Sequence, residues 1–210
     1  DVSFIKELYM GFEISQLRAG DIIFVKSSRS EKRQLLIQNL NIHGQRVLAA
    51  LRRQDRISLT EHLPRHSHVM LGLGLGNIIH ADGRTVALEG VEQALHLGAD
   101  NQYEFSIFRR LNLDAEIGVR VAAEAVRYLR NRYDFKTYLR ARPAPEKEDA
   151  TQFCSRLVAN AYRLAGESIT SLPDHRVLPV DLWKICQGAG WAEVTGEFIE
   201  NIDWGTVGKE

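Results

Sequence analysis

Hydrophobic residues recur along the chain at two spacings, and their order predicts a mixture of helices and strands. Residues 4–18 carry apolar side chains at helical intervals, so we expect a helix there. Residues 18–21 break that pattern, and the apolar run at 22–25 predicts a buried strand. Short apolar runs separated by Gly- and Asn-containing turns fill residues 68–89, which is typical of successive antiparallel strands.

The second half of the chain contains two amphipathic helices in this interpretation. The first follows Asp114, a good N-cap residue, and its apolar positions lie four apart: Ile117, Val121, Ala125 and Leu129. The second runs from about Phe153 to a stop at Gly166, and either Thr151 or Asp149 can cap its start.

Shorter features complete the predicted domain. Residues 90–97 indicate a short helix, and 103–108 alternate as in a strand with one face buried. Residues 27–66 are rich in Arg and Gln, with leucines at helical spacing, and predict a helical insertion.

With 210 residues and 44% hydrophobic content, the chain can bury one core. We therefore expect a single α+β domain over 1–210, with an antiparallel sheet packed against helices.

Charge and hydropathy narrow the function classes. Lys and Arg number 27, as do Asp and Glu, and this zero net charge argues against general nucleic-acid binding. No apolar run reaches the roughly 18 residues that would span a bilayer. The first residues resemble neither a signal peptide nor a natural start, which predicts a fragment or a processed form. The compartment stays open.

Cys154 is the strongest candidate for chemistry. It falls in the first turn of a predicted helix, where unsatisfied backbone N–H groups and the helix dipole favour a thiolate. The same N–H groups can stabilise an oxyanion. Cys186 has neither a cap before it nor an aligned histidine, so we interpret it as core packing and both cysteines as free thiols.

Two histidines can complete a catalytic group with that thiol. His68 opens a predicted strand, and His80 follows twelve residues later, where a hairpin would return it alongside His68. His68 would then serve as the base and His80 as the residue that orients it. Each residue alone is more often structural, so the hypothesis depends on the three occurring together.

Two other motifs have rival interpretations. His62, His66 and His68 could converge on zinc, but Pro64 interrupts them and no cysteine lies nearby. The glycines at 72, 74 and 76 resemble a phosphate-binding loop, but a strand follows them instead of a helix. We interpret these glycines as part of a twisted hairpin.

Five short motifs in a fixed order resemble the permuted papain-like cysteine hydrolases of the NlpC superfamily, particularly the YiiX-type branch. These motifs are Gly20-Asp21-Ile22-Ile23-Phe24, Ser67-His68-Val69, Ile79-His80-Ala81, Arg127 to Asp134, and Cys154-Ser155-Arg156-Leu157-Val158-Ala159. The resemblance spans about residues 20–165 and implies a permuted papain-like fold, with histidine before cysteine in the chain. It also implies that Gly20 and Asp21 mark a structural turn.

The same resemblance implies the roles of the site residues. Cys154 would be the nucleophile, His68 the general base and later acid, and His80 the polar residue that orients His68. YiiX-like members usually have Glu at the position of His80, so Glu89 and Asp82 are the reserve candidates. Acyl transfer through such a group requires no metal or organic cofactor.

The resemblance leaves the substrate open. NlpC-type enzymes imply amide cleavage in cell-wall peptides, whereas the related lecithin:retinol acyltransferase-like enzymes imply lipid acyl chains. The domain would then be a cysteine hydrolase or acyltransferase acting on peptidoglycan peptide or phospholipid, and an exported toxin or effector domain is one hypothesis. The alternative is a catalytically silent papain-like module that binds a protein or membrane partner through the 27–66 insertion.

Overall fold

The computed structural model describes residues 13–26, 66–97, 103–133 and 151–198. The helix predicted at 4–18 lies mostly outside these ranges, and its described end is a short 3₁₀ helix, Ile14–Gln16, rather than an α-helix. The predicted insertion also lies outside the described residues, apart from His66, which begins a strand.

An antiparallel sheet of six strands forms the centre of the described part. Its strands are β1 (Ala19–Lys26), β2 (His66–Gly74), β3 (Asn77–Ala81), β4 (Val86–Gly90), β5 (Phe105–Arg110) and β8 (Trp191–Glu193). Their spatial order is β4-β3-β2-β1-β5-β8. A small parallel pair joins β6 (Arg132–Tyr133) to β7 (Thr151–Gln152). The strands predicted at 22–25 and across 68–89 are therefore confirmed.

Four α-helices pack on this sheet: α1 (Val91–Leu95), α2 (Ala115–Val126), α3 (Cys154–Leu164) and α4 (Pro179–Cys186). Two further 3₁₀ helices cover Asp174–Arg176 and Thr195–Phe198. The helices predicted at 90–97, after Asp114 and from about 153 are confirmed, and the Asp114 side chain accepts the N–H of Glu116 as its cap. The described part is thus an α+β fold, as predicted.

Both faces of the sheet are buried, which corrects the prediction for β5. Ile107 and Phe108 are neighbours in β5, and both are almost fully buried because each packs into a core on a different face. The larger core contains residues of α2, α3 and α4, and the smaller one contains residues of α1 and the 3₁₀ helix near Phe198. The alternating pattern of 103–108 indicated only one buried face, since it cannot reveal a second covering layer.

A buried ion pair anchors the start of β1. The Asp21 carboxylate accepts hydrogen bonds from Nε and Nη2 of Arg109 at 3.0 and 2.8 Å, and from the Arg18 N–H at 2.9 Å. Tyr162 donates its hydroxyl to the carbonyl of Gly20, which has a φ of 91°. The interpretation of Gly20 and Asp21 as a structural turn agrees with these contacts. Asp21 holds the Arg109 guanidinium and raises its pKa.

The glycines between β2 and β3 form the expected hairpin turn. Gly74 and Gly76 have φ values of 90° and 75°, conformations that a side chain makes costly. The backbone therefore reverses within two residues after Gly74, and β3 returns along β2 with Leu71 opposite Ile79. This tight reversal determines which residues of the two strands lie side by side.

Candidate active site

Cys154 is the first residue of α3, and no side chain caps that helix. Phe153 occupies the N-cap position in an extended conformation and makes no side-chain capping bond. The prediction of Thr151 as the cap is wrong because Thr151 belongs to β7, which pairs with β6. Asp149 lies outside the described residues. Within the described residues, the backbone N–H groups at the start of α3 therefore lie around Cys154 without a side-chain capping bond.

The Cys154 thiol is 2% exposed and sits among backbone N–H groups. Burial raises its pKa to about 11, and hydrogen bonding to the backbone of Val69, Ser155 and Cys154 itself opposes that rise. The resting group at neutral pH is therefore the thiol. The Val69 N–H belongs to the peptide that joins His68 to Val69, so the sulfur lies against the start of β2, beside His68.

His68 and His80 form a direct imidazole pair. Nε2 of His68 and Nδ1 of His80 are 2.8 Å apart, and the two rings meet edge to face. The β2–β3 hairpin produces this contact, because its register, continued from Leu71 opposite Ile79, makes His68 and His80 diagonal neighbours on one face of the two strands. One nitrogen must donate and the other accept, so the pair fixes the tautomers of both rings.

Burial keeps both imidazoles neutral. It lowers the pKa of His68 to about 3, with a further contribution from the neighbouring His80. Burial also lowers the pKa of His80, against an opposing attraction from Glu89 and Asp82. Above pH 6.5 each ring can therefore accept a second proton during a reaction, because neither ring is an imidazolium beforehand.

Glu89 extends the histidine pair. Its Oε2 lies 3.6 Å from Nε2 of His80, and that nitrogen has no hydrogen-bond partner among the described residues. The β3–β4 register places Glu89 opposite Ile78, on the face of the sheet that also bears His80. Asp82, the other reserve candidate, instead accepts the N–H groups of Arg84 and Thr85 and holds the β3–β4 turn.

The structure brings His68 and His80 into contact, but it does not bond the Cys154 thiol to either imidazole. The interactions of Cys154 within the described residues include no hydrogen bond to either imidazole. Cys154 packs in the core that contains Val69, whereas strand alternation places His68 in the opposite row of β2. His68 and Cys154 therefore lie on opposite faces of the sheet, and the backbone at the start of β2 must rearrange before the sulfur can reach the imidazole.

Sequence reasoning missed Gln152, two residues before Cys154. Its side chain is fully buried in β7, and its amide nitrogen and oxygen have no hydrogen-bond partner within the described part of the chain. A buried amide without partners is costly, so Gln152 is a polar group whose hydrogen-bonding capacity stays unused among the described residues. Nothing in the local sequence distinguishes it from the other glutamines.

The remaining sequence candidates lie elsewhere. Cys186 ends α4 and is buried as predicted, and neither cysteine forms a disulfide. His62 lies outside the described residues, and no group of three potential metal ligands converges within the described ranges. In those same ranges, no helix has the length and apolarity needed to cross a bilayer.

Comparison of the sequence with known protein families finds no match. A comparison with curated proteins also finds no related sequence. The likeness to the NlpC superfamily therefore depends on the five short motifs and on their order along the chain.

Proposed function

We propose that this protein is a thiol-dependent hydrolase of the permuted papain-like type, in which Cys154 forms a covalent acyl intermediate. One observation carries the proposal: an uncapped helix start presents Cys154 against the peptide after His68, and His68 is itself bonded to His80 at 2.8 Å. The proposed nucleophile, the proposed base and the group that would orient the base all lie at or next to the start of β2, although the thiol and the His68 imidazole face opposite sides of that strand. The papain-like fold is part of the same proposal.

The hydrogen bonds of the histidines assign the basic nitrogen. The Glu89 carboxylate can only accept, so the His80 Nε2 that faces it carries the proton. The unprotonated Nδ1 of His80 then accepts the Nε2–H of His68. This tautomer leaves Nδ1 of His68 with a free lone pair, which is the base that the thiol requires.

Acyl transfer follows from these positions. The Cys154 sulfur attacks the acyl carbon while Nδ1 of His68 takes the thiol proton, and backbone N–H groups at the start of α3 stabilise the oxyanion. His68 returns the proton to the leaving amine or alcohol, and water then releases the acyl group. Since the thiol pKa is about 11 and that of His68 about 3, the proton moves during the attack rather than before it.

The substrate classes are a cell-wall peptide amide and a phospholipid acyl ester. Both pass through the same thioester, and the site residues do not separate them. We propose that residues outside this group set the substrate choice, and that the 27–66 segment, which the sequence predicts to be an insertion, contributes to it.

A second candidate function is a silent papain-like module that binds a protein or membrane partner. Two observations favour it: no hydrogen bond joins the thiol to an imidazole within the described residues, and burial raises the thiol pKa. Under this alternative the thiol would be an inert core group.

A substrate panel separates the two candidates. The chain is incubated at neutral pH with defined muropeptides and short-chain phospholipids, and products are followed by liquid chromatography and mass spectrometry. We expect consumption of one class by the unmodified protein and by Cys186→Ala, and none by Cys154→Ala. Failure to consume either class, together with a Cys154 thiol that resists alkylation, would favour the silent module.

A further inference from the structure

A cavity of about 460 Å³ lies along one side of α3. Three of its lining side chains come from one face of that helix and the others from residues 168–175. Its polar lining includes Arg156, Asn160, Arg163, Thr170, Ser171 and His175. The proposed catalytic residues are not among the residues that line it, so the cavity is distinct from the site described above.

Arg156 is the unusual member of this lining. Only 7% of the residue is exposed, and Nη1 donates to the carbonyl oxygen of Thr151 at 3.1 Å. Its Nε has no hydrogen-bond partner, and no carboxylate lies within ion-pair distance of it among the described residues. A buried guanidinium is costly to desolvate without a counter-charge, so Arg156 lacks the anion that such a group normally has.

The second arginine of the lining is already neutralised. Nε of Arg163 donates to Oδ2 of Asp174 at 2.5 Å, and Nη2 donates to Oδ1 of Asn160 at 3.1 Å. Asp174 is the carboxylate of the cavity lining, and Arg163 holds it. Among the described residues, no carboxylate is therefore left to compensate the positive charge of Arg156.

We propose that this cavity binds a phosphate group. A guanidinium binds phosphate through two parallel hydrogen bonds, and Nε is one of the two donors that such a fork uses. The Thr170 hydroxyl accepts the Leu172 N–H at 3.1 Å, which leaves its own hydrogen available to a ligand. The lining combines donors from α3 and from the 168–175 segment, and phosphate offers more acceptor oxygens to them than a carboxylate does.

The proposal is tested by following the arginine side-chain Nε–H signals of the ¹⁵N-labelled full chain by NMR. Inorganic phosphate, glycerol 3-phosphate, monomeric short-chain phosphatidylcholine and acetate are titrated separately at constant ionic strength. We expect a saturable shift of the Arg156 signal with a phosphate-bearing compound, and at least about tenfold weaker binding in Arg156→Gln. The exposed Arg127, which pairs with Glu124 on α2, provides Arg127→Gln as the matched control.

Thr170→Val is the second variant, because replacing a buried arginine can impair folding. It removes one hydroxyl from a partly buried segment, and we expect binding a few-fold weaker with the fold retained. The phosphate-bearing compound that binds most tightly identifies the source as free phosphate, a phosphomonoester or a lipid headgroup. The proposal is overturned by an Arg156 signal that does not shift, by acetate binding equally well, or by equal weakening in Arg127→Gln.

Discussion

The start of α3 and the end of α4 each hold a buried cysteine, and the two surroundings differ in what reaches the sulfur. Cys154 and Cys186 are both 2% exposed, both lie in the larger core, and burial raises the pKa of both thiols. Only for Cys154 do backbone N–H groups oppose that rise. Cys186 lies at a helix end, where the dipole disfavours an anion. Burial alone therefore does not separate a nucleophile from a packing residue, whereas position on the helix does.

The largest predicted difference is between the two alanine variants. Cys154→Ala removes the nucleophile, so we expect turnover to fall by about three orders of magnitude or more. Cys186→Ala leaves the site intact, so its kcat/KM should stay within about threefold of the original. Steady-state kinetics on the substrate that the panel identifies gives both values. Equal losses in two folded variants would remove the distinction between the cysteines.

The histidines should differ in a graded way. His68→Ala removes the base, and a loss of about 10²–10⁴ in kcat is expected. His80→Ala leaves the base in place but without its orienting hydrogen bond, so the loss should be smaller. The kcat of each variant is measured with Cys186→Ala as the common control for folding. A larger loss in His80→Ala than in His68→Ala would contradict the assigned roles.

The histidine pair and the region around Cys186 should also differ in how acid changes the stability of the fold. The folded pKa of His68 is about 3, and that of His80 is also lowered, so unfolded chains bind more protons below pH 6.5. Stability from His68 is present above pH 6.5 and is lost as the pH falls toward 3, by up to about 1.4 kcal/mol per pH unit, and the lowered pKa of His80 acts in the same direction. In urea unfolding, the free energy of unfolding of His68→Gln should fall less steeply with decreasing pH than that of Cys186→Ala. An identical decrease in the two variants would contradict a buried, neutral histidine pair.

The smallest effect is expected for Glu89→Gln. An amide can still accept from His80 but carries no charge, so turnover should fall only a few-fold. The loss of an attraction that raises the pKa of His80 should move that pKa further down. ¹H–¹⁵N NMR of the imidazole signals measures the shift, and Asp82→Asn, which removes the weaker of the two attractions, should lower the pKa of His80 by less. An upward shift in the pKa of His80 would argue against contact between Glu89 and His80.

Local patterns predicted much of this fold and less of the site. The spacing of twelve residues between His68 and His80 predicted their contact, because a hairpin converts sequence distance directly into position. The cap of α3 was not predictable, since Thr151 pairs with β6, a strand that is distant in the chain. Arg109 and Asp21 are 88 residues apart, and only the β1–β5 pairing joins them.

Buried polar groups are the other part that the sequence does not reveal. Gln152 and Arg156 are both buried without complete hydrogen bonding. Gln152 belongs to none of the five motifs, and Arg156 stands in the Cys154 motif without an assigned role. Their environment depends on how α3 packs against the rest of the molecule. The helical periodicity of 153–166 predicts the helix, but it does not say which polar side chains the surrounding chain will enclose.

The most direct test of the central claim is to locate the acyl group. The protein is mixed with its substrate, quenched with acid within the first turnovers, digested and mapped by mass spectrometry. The account predicts an acyl thioester on the peptide that contains Cys154, unmodified Cys186, and no adduct in Cys154→Ala. Acylation of Cys186, or turnover by the folded Cys154→Ala variant, would contradict the account.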